Sequence, residues 1–190
     1  MTRSRFEDFG SQGTGEQRPG ERRAGQQGAG SDDAAVRERI REQALRLLEV
    51  RGRSCFELRG RLLAKGHPTA AVDALLERLC ESGLLDDARF ARDRARAMLR
   101  RKGWGPRKLA ADLARRGVDR EQVDAAIADA YADADTDPAA IMRREVVKRF
   151  GPDVLDPDAD PKRRARARRF LLGRGFTPEA VADLLDPGDW

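Results

Sequence analysis

The stretch GPRKLAADLARRGVDREQVDAAI, residues 105–127, decides the fold. Pro106 fits the first position of a helix, where its missing N–H is no loss. Leu109 and Leu113 then recur four residues apart on one face. The run ends at Gly117, the residue type that closes helices in the left-handed conformation. Asp119 and Gln122 fit the cap of a second helix carrying Val123, Ala126 and Ile127. The reading is helix, glycine turn, helix. It returns when Gly66, Gly117 and Gly175 are aligned: Leu58, Leu109 and Ala167 lie eight residues before, and Leu62, Leu113 and Leu171 four before. Val72, Val123 and Val181 lie six residues after, and Leu76, Ile127 and Leu185 ten after. The glycines are 51 and 58 residues apart, the excess of seven falling in the Pro- and Asp-rich segment 151–160. Periods of this size indicate stacked repeats.

Working outward, each pair is preceded by another amphipathic run. Val36, Ile40, Ala44, Leu47 and Leu48 form the first, ahead of the capping-box pattern Ser54-Cys55-Phe56-Glu57. Ala91, Ala95, Met98 and Leu99 form the second, after Asp86-Asp87 and with Phe90 read as a core anchor. Ile141, Val146 and Phe150 form the third, after Asp137-Pro138. The expected fold is all-α: three tandem three-helix repeats of about 52 residues, 32–83, 84–135 and 136–190, in an elongated array. Gly66 and Gly117 are read as left-handed helix caps, Asp86 and Asp87 as N-terminal caps. Residues 1–31 hold seven of the 18 glycines and only Met1, Phe6 and Phe9 as large apolar groups. They are read as a disordered tail. Only 9 Val, 3 Ile and 5 Thr occur among 190 residues, which disfavours a β-rich fold.

Composition excludes several function classes. Cys55, Cys80 and His67 cannot supply four zinc ligands, and no metal or cofactor is expected. His67 reads as a turn residue before Pro68. No G-x-x-x-x-G-K-[ST] loop for nucleotide phosphates is present. Nor is there an apolar run long enough to span a bilayer, nor an apolar leader. No nucleophile–base pairing is visible, so the chain is expected to be no enzyme. The expectation is a soluble cytoplasmic monomer with reduced thiols and no membrane contact.

Arg53-Ser54, Glu57-Leu58, Lys65-Gly66, Gly83-Leu84-Leu85-Asp86-Asp87 and Phe90-Ala91 together resemble the first-repeat signature of the RecX family of regulatory proteins. Gly105-Pro106-Arg107-Lys108-Leu109, Asp112-Leu113 and Arg116-Gly117-Val118 resemble its second-repeat signature. The resemblance covers roughly residues 34–186 and is loosest in the last repeat, where Ala167 replaces a large apolar residue. It implies a non-catalytic regulator that binds the filament of the RecA recombinase on DNA. Such a regulator inhibits filament growth, ATP hydrolysis and strand exchange in recombination, DNA repair and the SOS response.

Charge locates the candidate contacts. The formal charge is only +5, yet 33 arginines stand against 5 lysines and the signs are segregated. Segment 161–174 carries seven cations and no acid, whereas 119–135 carries six acids against Arg120. That acidity argues against a helix-turn-helix operator reader, whose second helix must lie against phosphates. One basic cluster comprises Arg89, Arg92, Arg94, Arg96, Arg100, Arg101 and Lys102 and runs on to Arg107 and Lys108. The other comprises Lys162, Arg163, Arg164, Arg166, Arg168 and Arg169. Arginine forks suit either phosphate or an acidic protein surface. Trp104, in a Gly-Trp-Gly turn between Lys102 and Arg107, is a candidate contact. The alternative to a RecA regulator is a helical module that coats single-stranded or duplex DNA without sequence preference. Scarce aromatics weigh against it.

Overall fold

The computed structural model describes residues 26–133 and 137–186, and every regular element among them is helical. Helix α1 spans Gln26–Val50, α2 Cys55–Leu63, α3 Thr69–Glu81, α4 Asp87–Lys102 and α5 Pro106–Ala114. They are followed by α6 (Arg120–Asp133), α7 (Pro138–Phe150), α8 (Pro161–Arg174) and α9 (Pro178–Leu185). None of the described helices is long and apolar enough to cross a membrane. The chain divides into two units, Met1–Val36 and Arg37–Trp190; helices α2 to α9 and the C-terminal part of α1 lie in the second. Helix α1 begins at Gln26, inside the segment read as a tail; residues 1–25 of that segment lie outside the described residues. A helix once nucleated gains one hydrogen bond per added residue, against a cost of about 1 kcal/mol for each of Gly28 and Gly30.

Local chemistry sets the helix starts. The hydroxyl of Ser54 accepts from Glu57 N at 3.1 Å, the carboxylate of Asp86 from Arg89 N at 2.9 Å, and Thr177 Oγ1 from Ala180 N at 3.2 Å. Each satisfies an N–H that the helix itself leaves unpaired. The aligned positions are buried alike: Leu58, Leu109 and Ala167, then Leu62, Leu113 and Leu171, then Val72, Val123 and Val181. In the fourth column Leu76 and Leu185 are buried and Ile127 half-buried. Helices α4 and α6 make the most extensive helix pair, and Ala91, Ala95, Ala126 and Ala130 supply small buried residues to it. One apolar core then runs from Met98, Leu99 and Leu109 through Ile141, Met142 and Val146 to Leu171, Val181 and Leu185.

Successive helix trios are joined by one device used twice. Ser54 Oγ donates to the carbonyl of Arg116 at 2.5 Å, and Gly105 N donates to the carbonyl of Arg174 at 2.8 Å. Ser54 and Gly105 each lie twelve residues ahead of their own aligned glycine; Arg116 and Arg174 each directly precede the next one. The start of one trio's second helix thus docks on the glycine turn of the following trio. Gly117 (φ +73°) and Gly175 (φ +90°) turn the chain there, and both lack room for a side chain. A Cβ on Gly117 would sit 2.4 Å from that of Phe56, and one on Gly175 2.4 Å from that of Lys108. Gly66 (φ +83°) has the same turn but open space around it.

One reading is corrected and two features are added. Phe90 is half-buried at the edge of the Ala91–Leu113–Val123 cluster, because α4 turns its alanines and not its phenylalanine toward α6. Phe170 is likewise half-buried, and among the described residues the buried aromatic is Phe176, 2% exposed. Its N–H donates to the carbonyl of Leu171 across the Gly175 turn, which swings the ring inward. The segment 151–160 is more than a spacer: Pro152–Leu155 forms a 3-10 turn whose Val154 is fully buried.

Asp112, 5% exposed, is the hub of an ion network across α4 and α5. It accepts from Arg94 Nε at 2.9 Å and Arg116 Nε at 3.1 Å, and Arg116 also pairs with Glu57 on α2. Burial alone would raise its pKa, but the hydrogen bonds and charges of Arg94 and Arg116 outweigh that and hold it at about 2. A carboxylate depressed in the folded state contributes stability above its unfolded pKa of about 4, lost as pH falls through the folded value. Asp112→Asn is therefore expected to cost about 2–3 kcal/mol at pH 7, less than a fully buried pair because both arginines are partly exposed. The deficit should shrink steadily between about pH 4 and 2. Urea unfolding of both proteins across that range checks it, and a pH-independent deficit would contradict the network.

Candidate functional site: a basic cleft beside Trp104

A cleft of about 890 Å³ opens where the end of α4 and the start of α5 meet α7 and α8. Arg100, Arg101 and Lys102 line it from α4, Lys108 from α5, Arg144, Lys148 and Arg149 from α7, and Arg169 and Arg174 from α8. Against these nine cations stands one acid, Glu145. The sequence places the three cations of α4 in its last turn, where positive charge complements the helix dipole. Gly103 ends that helix in the left-handed conformation and turns the chain into Trp104.

Two aromatic rings are built into the walls. Trp104 is half-buried against the core, and Tyr131 Oη donates to its carbonyl at 3.3 Å. Lys102 Nζ and Lys108 Nζ each stand 5.2 Å from its ring centre, within cation–π range. Phe170 carries the guanidinium of Arg174 at 4.8 Å and that of Arg149 at 5.8 Å, and meets Phe150 edge-on at 5.7 Å. Glu145 holds Arg144 at 3.4 Å and Arg174 at 3.5 Å, and Lys108 Nζ donates to the carbonyl of Gly173 at 2.9 Å. These contacts fix three cations in place. Arg100, Arg101, Lys102, Lys148, Arg149 and Arg169 are exposed. Like charges so gathered repel one another until a polyanion enters.

The structure sorts the residues singled out from sequence. Arg100, Arg101, Lys102, Lys108, Arg169 and Trp104 come together in the cleft. Arg94 and Arg96 are held by Asp112 and Asp133, and Arg89 donates to the carbonyl of Gly83. Arg163 binds Asp153 and the carbonyl of Phe150; Arg164 binds the carbonyls of Asp156 and Pro157; Arg168 binds Asp186. Much of the basic α8 thus holds down the 151–160 segment and α9. Arg107, Lys162 and Arg166 are exposed outside the cleft lining, and Arg92 is half-buried. Asp86 caps α4, whereas Asp87 reaches back to α2 and accepts from Cys55 N at 2.8 Å. His67 bonds Gln43 at 2.7 Å. Sequence reasoning missed Arg144, Lys148, Arg149 and Arg174. The signal was present in Arg144 and Lys148, four residues apart and so neighbours on α7, but segment 137–151 as a whole carries only four cations against two acids.

Family comparison agrees with this architecture. Residues 41–79 match the model of the first three-helix domain of RecX, and residues 86–127 that of the second. The chain is 36% identical over 148 residues to the regulatory protein RecX of Mycobacterium sp. (strain JLS), covering 78% of this chain and 80% of that protein. It belongs to the RecX family. A second RecX, from Halorhodospira halophila, is 39% identical over 147 residues, 77% of this chain and 86% of its own. A RecX crystal structure superposes with TM-score 0.72 at 19% identity, covering 90% of this chain and 82% of the other. RecX from Lactobacillus salivarius superposes with TM-score 0.69 at 18% identity, covering 81% and 97%. All three helix trios thus lie within the reach of the RecX fold.

Proposed function

We propose that this RecX-family protein is a non-catalytic regulator that binds the RecA filament on DNA and inhibits its ATP hydrolysis and strand exchange. Membership of a family of regulatory proteins supports the regulatory role, and the RecA target follows from what the family resemblance implies. The observation that carries the reading is the cleft, where nine cations and one acid are lined up beside Trp104 and Phe170. Such a surface suits a nucleoprotein, which offers phosphates and acidic side chains together. Successive helix trios let one chain engage several protomers, so that affinity grows by multivalency. Each trio is read as one repeat, and the working form as a cytoplasmic monomer.

The test is inhibition of RecA-driven ATP hydrolysis on single-stranded DNA. Inhibition is expected at concentrations of this protein far below those that saturate free DNA, and it should persist when excess DNA is added. A second reading, a module that coats nucleic acid, draws on the half-buried Trp104 ring flanked by two lysines, a stacking platform in a basic groove. Inhibition that follows DNA occupancy and disappears with excess DNA would favour it and defeat the regulator.

A further inference from the structure

Away from the basic cleft, the two cysteines meet. Cys55 is the first residue of α2 and Cys80 lies in the last turn of α3, and their sulfurs are 3.4 Å apart. Both thiols are free. They sit on the wall of a second recess, of about 440 Å³, bounded also by Asp87 and Gly117. Cys80 is exposed and Cys55 half-buried. A packing role explains the placement poorly, since an exposed sulfur at the end of α3 fills no core.

We propose that Cys55 and Cys80 are a peroxide-oxidisable dithiol that closes to an intramolecular disulfide between the start of α2 and the end of α3. Closing the gap from 3.4 Å to a bond of about 2.05 Å asks for a shift of about 1.4 Å, within reach of side-chain rotation. The order of events follows from exposure. Cys80 is open to solvent, whereas burial, the Cys80 sulfur and the charge of Asp87 push the Cys55 thiol up to about 12. The Cys80 thiolate therefore attacks hydrogen peroxide, breaking its O–O bond to give a sulfenic acid and hydroxide, which takes up the proton the thiol released and leaves as one water. The Cys55 sulfur next attacks the Cys80 sulfur, and its proton leaves with the displaced hydroxide as a second water. Two thiols and one peroxide give one disulfide and two waters.

The bond would act at the joint between trios. Cys55 follows Ser54, whose hydroxyl bonds the Arg116 carbonyl, and its own N–H is held by Asp87 at the start of α4. Oxidation would therefore fix the segment through which the first trio docks on the second, and closing a loop of about 25 residues also restrains the unfolded chain.

The full-length reduced chain, treated with excess hydrogen peroxide and then a thiol-alkylating reagent, is expected to lose both alkylatable thiols and about 2 Da of mass. Trypsin should then release Ser54–Arg59 linked to Leu79–Arg89, a product that dithiothreitol separates. The oxidised chain should melt several degrees higher than the reduced one. Cys80→Ser, a change at an exposed position, should leave the Cys55 thiol alkylatable after the same treatment. Two thiols that still alkylate, stepwise oxygen addition without a linked peptide, or a disulfide joining two chains would each overturn the proposal.

Discussion

Phe176→Ala is expected to cost about 4 kcal/mol, several times the loss from Phe90→Ala, although both remove the same ring. Phe176 is 2% exposed and sits in the core shared by α4, α5 and α7–α9. Deleting its ring leaves a cavity that the glycine turn beside it cannot collapse to fill, because Gly175 is already against Lys108. Fully buried phenylalanines lose about 3–5 kcal/mol on such truncation. Phe90 keeps one side in a shallow groove beside Gly52, so its loss should be about 1–2 kcal/mol from apolar area alone. Urea unfolding of the three proteins, with the slope held common, measures both values. Equal losses would mean that the second trio depends on Phe90 as a core anchor after all.

That pair shows where the sequence can and cannot be read. Periodicity fixes which face of a helix is apolar, so Leu58, Leu109, Leu62, Leu113 and Leu171 are legible, each buried as its spacing requires. It says less about residues just past a helix end. Phe176 follows Gly175, and only the hydrogen bond from its N–H back to Leu171 turns it inward. Asp112 was hidden for another reason. It is the lone acid of 105–116, between Leu109 and Leu113, and its partner Arg94 comes from a neighbouring helix. It also has no counterpart in the repeat: Arg61 and Phe170 occupy the aligned positions. The basic clusters were legible as charge but not as a site. Counting along the chain cannot separate Arg163 and Arg164, which bind carbonyls, from Arg169, which faces the cleft. Nor does it join α4 to α7, brought together by a core that includes Met98, Leu99 and Ile141.

Reversing Arg100, Lys148 and Arg149 to Glu is expected to weaken binding to a polyanion by roughly a hundredfold or more at moderate salt. Each change removes a counterion-releasing contact and puts a repulsive charge in its place. Losing three phosphate contacts should also flatten the log–log dependence of affinity on salt by about two, taking about 0.7 per phosphate for a single strand. The matched control reverses Arg107, Lys162 and Arg166, which belong to the same basic runs but are exposed outside the cleft lining. Both triple variants change net charge equally, so a long-range effect would move them together. Helicity should stay unchanged in both, because none of the six side chains is in the core. If the cleft engages the filament, the first variant also loses inhibition of RecA-driven ATP hydrolysis while the second retains it. Equal losses in the two would mean that overall charge rather than the cleft carries binding. Retained inhibition in the first variant, with DNA affinity gone, would separate filament contact from phosphate contact and move the RecA surface off the cleft.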